Sequence, residues 1–207
     1  MTRAATRWER SDHSGYGERF AQLHSSGQDI DGEARLADAL CARGARVLDA
    51  GCGMGRVGAA LGNRGHDAYG IDLDAALLDQ AARTYPGFPT AKCRVDEATP
   101  DLLAAQGFPR AYDLIVCVGN VMILGEDGQE QAMLTHLRDL LAPQGRILVG
   151  FHTDGTPADS RVYSAAEFDA DVAASGLVVD ARFGTYELHP YDPAGNYCVS
   201  ILRRRPD

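Results

Sequence analysis

Val47-Leu48-Asp49-Ala50-Gly51-Cys52-Gly53-Met54-Gly55 is followed, nineteen residues after Gly53, by Asp72 in Gly70-Ile71-Asp72. The first stretch reads as a buried strand that runs into a glycine-rich bend. Three glycines within five residues let the backbone turn tightly off the strand and approach a ligand closely. A carboxylate about twenty residues on falls where a second parallel strand ends, within reach of a ribose diol. The two segments together predict one nucleotide-like cofactor at the carboxyl ends of neighbouring strands.

The bend discriminates between cofactors. A pyrophosphate-binding loop reads Gly-x-Gly-x-x-Gly and delivers its ligand to a helix N-terminus. Here the spacing is Gly51-x-Gly53-x-Gly55, and the position of that fingerprint's third glycine holds Arg56. Asp49, two residues before the first glycine, would repel a pyrophosphate but suits an ammonium or a hydroxyl. An NAD-dependent oxidoreductase is therefore disfavoured against a cofactor with an amino-acid-like cationic end.

Outward from this point the chain alternates between strand and helix patterns. Strands are predicted over 46–50, 67–72, 90–96, 112–118 and 146–152, with helices over 55–64, 74–85, 100–106 and 129–141 between them. The run Tyr112 to Val118 is almost continuously apolar, as a strand buried on both faces should be. The alternation predicts a doubly wound, mostly parallel α/β sheet. After a helix over 164–175, strands over 177–188 and 197–203 are separated by Pro190, Pro193 and Gly195, which read as a hairpin with an antiparallel last strand. Asp49, Asp72, Asp96 and Val118-Gly119-Asn120 all fall at predicted carboxyl ends, where such sheets bind ligands.

This order of motifs resembles the class I S-adenosylmethionine-dependent methyltransferases. The matching positions are Asp49, Gly51, Gly53 and Gly55 in the first motif and Asp72 in the second. Asp96 matches in the third, within Val95-Asp96-Glu97-Ala98. The fourth is Tyr112 to Asn120, and the fifth is Leu137 to Val149 with its Pro143-Gln144-Gly145 turn. The resemblance covers roughly residues 30 to 205. It implies a Rossmann-like three-layer α/β/α fold with a seven-stranded sheet in the order 3-2-1-4-5-7-6. It also implies S-adenosyl-L-methionine as methyl donor, leaving S-adenosyl-L-homocysteine as product.

The same resemblance implies roles for individual residues. Asp72 would accept from the ribose hydroxyls, with Leu73 beside it. Asp96 would accept from the adenine amine, and the Glu97 backbone N–H would meet a ring nitrogen. Gly51, Cys52 and Gly53 would lie against the methionine portion, Asp49 would orient its ammonium, and Val118, Gly119 and Asn120 would flank it. The alternatives are a strand-end turn former for Asp49 and a helix cap for Asp96. The fourth motif reads Gly119-Asn120-Val121-Met122 and lacks the (Asn or Asp)-Pro-Pro-(Tyr or Phe) clamp of enzymes that methylate planar amines, which argues against DNA-base or glutamine methylation. No metal-ligand cluster is legible, and in-line methyl transfer needs none.

On the acceptor side, Arg19 is a candidate partner for the cofactor carboxylate. His152, just after the fifth strand, is a candidate general base, with a polar strand-end residue as its alternative. Trp8, His13, Tyr16, Arg19 and Phe20 are expected in a lid, and His189 and Tyr191 in the pocket lining. Residues 1–44, with a helix predicted over 30–40 and a shorter one around Phe20, read as an N-terminal helical lid segment. Residues 45–207 read as the cofactor-binding domain.

Composition narrows the partners. A net charge of −9 over 207 residues argues against a nucleic acid held by phosphate contacts. Arg203-Arg204-Arg205 reads as a solvated chain end. Five cysteines in an odd count, without a C-x-x-C pair, fit a reducing compartment. The N-terminal region is charged, and no apolar run reaches the roughly eighteen residues of a membrane span. The expectation is a cytoplasmic protein, monomer or homodimer, that acts on a small molecule. A protein that binds the cofactor without catalysis is the main rival.

Overall fold

The computed structural model describes residues 4–13 and 15–206. Val47, Leu48 and Ala50 have almost no exposed surface. This central strand, β1 (Arg46–Ala50), lies in parallel register with β2 (Asp67–Asp72) on one side and β4 (Tyr112–Cys117) on the other. β3 (Thr90–Lys92) adds outside β2, and β5 (Leu141–His152) adds outside β4. β7 (Tyr197–Arg204) runs antiparallel between β5 and β6 (Leu177–Phe183). The order is β3-β2-β1-β4-β5-β7-β6, as the resemblance implies. The reversal of strand order at β1 and β4 opens a crevice at their carboxyl ends.

Nine α-helices are present among the described residues. α1 (Arg7–Arg10), α2 (Tyr16–Ser25) and α3 (Gly32–Ala39) precede the sheet. α4 (Arg56–Asn63) and α5 (Ala75–Thr84) follow β1 and β2. α6 (Pro100–Ala105), α7 (Val121–Leu124), α8 (Glu130–Asp139) and α9 (Ala165–Ala174) complete the set. One apolar core lies on each face of the sheet. Ala34 and Ala37 of α3, Leu61 of α4 and Leu78 of α5 pack with Val47, Leu114 and Val116. Leu103, Leu134, Leu137 and Phe168 pack on the other face with Leu48, Ile115 and Val149. Phe88 lies so close to α4 that any side chain at Gly58 would collide with its ring. Among the described residues, no helix is long and apolar enough to cross a membrane.

The sequence reading erred at several element ends. The third strand stops at Lys92, because Val95–Glu97 forms a 3₁₀ turn, so Asp96 stands on a turn and not at a strand end. The fifth strand begins at Leu141, with Pro143-Gln144-Gly145 absorbed as an irregularity between the Tyr112 and Leu114 pairings. β6 ends at Phe183. α7 was not anticipated. Arg203 and Arg204 belong to β7, and all three arginines of the basic run are bonded, to Asp180, the Leu141 carbonyl and the Ala173 carbonyl respectively. α3 buries Ala34 and Ala37 completely, so it belongs to the helical layer.

Candidate cofactor site

The parallel register sets Ala50 opposite Ile71, so the chain leaves β1 beside the last residue of β2. The Gly51 and Cys52 N–H groups both donate to the Ile71 carbonyl, at 2.8 and 2.9 Å. Asp72 closes the bend from the other side. Its Oδ2 accepts from the Gly53 N–H at 2.8 Å, and its Oδ1 accepts from the Asp74 N–H at 2.8 Å. Gly51 has φ +84°, and a Cβ there would drive into the Val121 side chain. Both the conformation and the space demand glycine at this point.

Two hollows meet at this bend and share Gly51, Gly53 and Gly119. The larger, about 620 Å³, is lined by Asp72 and by apolar walls from Leu73, Leu77, Val95, Val121 and Met133. Its walls suit a flat heterocycle, and its carboxylate suits a diol. The smaller, about 430 Å³, is lined by Phe20, Asp49, Cys52, Arg56 and Val118. Apart from its chain neighbours, no protein atom lies within 4 Å of where a Cβ on Gly119 would stand, so the space beside this shared edge is open. Apolar walls with a carboxylate in one hollow, and one acidic and one basic side chain in the other, could accommodate an adenosyl amino acid.

The electrostatics follow from burial. Asp49 is 3 % exposed, and its Oδ2 accepts from the Gly58 N–H at 2.8 Å. Burial pushes its carboxyl up to about 7 against the lowering effects of that bond and of Arg56. A cation arriving here would be welcomed. Burial also raises Asp72, opposed by the N–H groups of Asp74 and Gly53. The Cys52 thiol is pushed well up by burial and next by Asp49, which leaves it protonated and unsuited to nucleophilic work.

Several expected residues stand elsewhere. The Asp96 carboxylate lines the larger hollow but is already gripped by Arg94, whose Nε donates to Oδ1 at 2.7 Å. Glu97 has a half-exposed side chain, and its N–H donates to the Arg94 carbonyl at 3.2 Å inside the 3₁₀ turn, not toward the hollow. Arg19 is exposed on α2 and lines neither hollow; Arg56 occupies the smaller one instead. Asn120, at φ +74°, lies just beyond the lining, and its Oδ1 accepts from the His152 N–H at 2.9 Å. His152 is thereby tied to the end of β4. Its ring meets Tyr197 edge-on at 4.7 Å, and its Nδ1 lies 3.2 Å from the Asn196 carbonyl. A carbonyl only accepts, so Nδ1 is the donor in this contact, and Nε2 is the ring nitrogen it does not engage. His189 is exposed against Thr185, and Tyr191 lies under Arg182 at 5.4 Å; neither lines the hollows.

The clasp over the larger hollow uses two residues expected in the lid, Trp8 and His13, and one that sequence reasoning missed, Arg94. Thr6 and Glu9 form a capping box that starts the single turn of α1. Trp8 stacks on His13 at 4.0 Å, and its Nε1 donates to Asp74 Oδ2 at 2.9 Å. His13 Nε2 lies 3.1 Å from the same oxygen. Arg94, 4 % exposed, bridges Asp96 and Glu126 and donates to the Ala4 carbonyl at 3.1 Å. Burial alone would raise Asp74, but the bonds from Trp8, Leu77 and Ala76 hold it below the usual carboxylate range. The capping box Thr6-x-x-Glu9 was the one sequence signal available for α1. Tyr16, also expected in the lid, has a side chain outside the described residues.

Known proteins share this architecture. A family model described as a methyltransferase domain matches residues 48–147. The solved structure of a TehB-like SAM-dependent methyltransferase from Corynebacterium glutamicum is 30% identical, aligns over 92% of this chain and 97% of that one, and superposes with a TM-score of 0.79. The 1,6-didemethyltoxoflavin-N1-methyltransferase of Burkholderia thailandensis, solved with S-adenosylhomocysteine, has the same fold at 18% identity, with a TM-score of 0.62 over 100% of this chain and 93% of that one. A ubiquinone biosynthesis O-methyltransferase of Xylella fastidiosa is 37% identical over 109 residues, which are 51% of this chain and 41% of that protein. The match thus spans about two-fifths of the length of that curated relative.

Proposed function

The chain belongs to the S-adenosylmethionine-dependent methyltransferases, and from that premise we propose that it transfers the methyl group to a small-molecule acceptor by in-line displacement. The observation that carries the reading is the pairing of Asp72 with the glycine bend between two hollows of opposite character. The partial likeness to an O-methyltransferase of ubiquinone biosynthesis supports a small acceptor.

The bound cofactor supplies a methyl group already activated on a sulfonium. The protein's task is alignment and exclusion of water. Asp72 holds the ribose, and the walls formed by Leu73, Leu77 and Val95 hold the heterocycle. Cys52, Gly53 and Val118 lie along the amino-acid portion, and Asp49 faces its ammonium. Asp96 presents its outer oxygen edge toward the heterocycle while Arg94 fixes its plane. α1 and Phe20 of α2 cover the site as a lid.

His152 is our candidate general base. With Nδ1–H committed to the Asn196 carbonyl, Nε2 takes a proton from the acceptor as the methyl arrives. This favours an acceptor with an ionisable proton, such as a hydroxyl.

Isothermal titration with S-adenosylhomocysteine, S-adenosylmethionine and NAD tests the reading. We expect the first two to bind and NAD not to. Labelled methyl donor incubated with a metabolite extract then reports turnover. Binding without any labelled product would favour a non-catalytic cofactor binder, and NAD binding alone would remove the proposal.

A further inference from the structure

We propose that Cys41 is a thiol–disulfide exchange site that takes a low-molecular-weight disulfide, with His66 as its base and Asp38 as the group that orients the base. The site is independent of methyl transfer. It lies at the far end of the sheet from the glycine bend: Cys41 follows α3, and His66 stands directly before the first residue of β2.

The three side chains form a relay. His66 Nε2 lies 2.8 Å from Asp38 Oδ1, and its Nδ1 lies 3.9 Å from Cys41 Sγ. An ionised carboxylate only accepts, so Nε2 is the donor to Asp38, and in the neutral ring Nδ1 is then the acceptor that faces the thiol. The bond from His66 is the first cause that holds Asp38 below the usual carboxylate range. The imidazole has no exposed surface, so it stays in this orientation. Cys41 is half-buried, whereas the other four cysteines are buried, which makes it the thiol a small solute reaches first.

A base is needed here. Burial first, then the Asp38 and Asp113 carboxylates, push the Cys41 thiol up against the lowering effect of Arg43. A thiol so placed is protonated at neutral pH, and the protonated form is not the nucleophile. Sγ has a second acceptor, the Ala37 carbonyl at 3.5 Å. A packing role would need only that one. A fixed imidazole with a carboxylate on one nitrogen and a half-exposed sulfur on the other is the arrangement of nucleophile, base and orienting group. In the exchange, Nδ1 takes the Sγ proton as Sγ attacks. The reagent's S–S bond breaks as the bond to Cys41 forms, and the proton passes to the departing thiolate. Cys41 is oxidised to a mixed disulfide, and one sulfur of the reagent is reduced to a thiol.

The test is the rate of reaction of the intact folded chain with dithiodipyridine, a small neutral disulfide, with the modified cysteine located by peptide mass mapping. Cys41 should be modified first, and Cys41→Ser should remove the fast phase. His66→Gln should slow it about a hundred-fold, within the range of general-base catalysis. Asp38→Asn should slow it about ten-fold, the loss expected for one charge-assisted hydrogen bond. The pH profile separates this from packing. The charged groups facing the pair are Asp38 of α3, Asp113 of β4 and Arg43, with Arg64 facing Asp38. With a base in place the wild-type rate should level off above neutral pH. In His66→Gln it should keep climbing about ten-fold per pH unit toward the thiol's own ionisation.

First reaction at another cysteine, or an unchanged rate in both His66→Gln and Asp38→Asn, would overturn the assignment. Should neither variant fold, the wild-type profile still decides: a rate that climbs about ten-fold per unit throughout leaves no role for His66 as base.

Discussion

Asp72 Oδ2 accepts the Gly53 N–H at 2.8 Å, so the carboxylate that ends one strand holds the bend that leaves its neighbour. The carboxylate proposed to bind the ribose and the glycine bend are thereby locked in one geometry. Replacing Asp72 with Ala removes both. S-adenosylhomocysteine binding should weaken by about 1–3 kcal/mol, the scale of charge-assisted hydrogen bonds. Calorimetry checks this, and unchanged affinity would mean that the ribose lies elsewhere.

Asp49 makes stability and binding depend on pH in opposite directions. Its carboxyl is raised from 3.8 to about 7 in the folded protein, so the native state holds a proton that the unfolded chain releases. Stability of the ligand-free protein should therefore be highest below the unfolded value and decline as pH rises toward 7. The drop is up to about 4 kcal/mol before relaxation and water access reduce it. Cofactor affinity should rise over pH 6 to 8, because the ionised carboxylate is the form that attracts an ammonium. Asp49→Asn should flatten both trends, as read by denaturation midpoints and titrations across that range.

At Gly51 a substitution meets two obstacles at once. The positive φ disfavours any side chain, and Val121 fills the space a Cβ would need. Gly51→Ala should destabilise the fold by about 1–3 kcal/mol. Thermal unfolding measures it. A melting temperature equal to wild type would show that the bend relaxes freely.

Trp8 clips α1 to Asp74 at 2.9 Å over the larger hollow. Trp8→Ala loses one hydrogen bond and the stack on His13. We expect the dissociation rate of S-adenosylhomocysteine to rise about two- to ten-fold, the equivalent of one ordinary hydrogen bond. Stopped-flow release of the ligand reads this directly, and an unaltered rate would show that α1 does not gate the site.

His152 separates chemistry from binding. If its Nε2 takes the acceptor's proton, His152→Gln should lower kcat by about 10²–10⁴-fold and leave cofactor affinity alone. Once an acceptor is found, steady-state kinetics beside calorimetry decide it. Full activity in the variant would assign His152 to strand-end packing against Tyr197.

Much of this molecule was legible from local pattern. The glycines, Asp49 and Asp72 carry their meaning in residue type and spacing, because a strand end, a tight bend and a second strand end are short-range events. Strand order came from the family resemblance that the five motifs carry, and the sheet has that order. Element ends were less legible. Asp96 looked like a strand terminus because apolar spacing does not distinguish a short strand from a strand followed by a 3₁₀ turn.

The sequence by itself determined the doubly wound sheet and set Asp49 and Asp72 at the carboxyl ends of neighbouring strands. Only the tertiary structure decided which cations stand near them. Arg19 and Arg56 are equivalent as letters, and so are Arg94 and the arginines of the C-terminal run. What separates them is long-range packing. Glu33 lies twenty-three residues from Arg56 and Glu126 thirty-two from Arg94. No local periodicity encodes such a pairing, because it exists only once the helical layers have closed on the sheet.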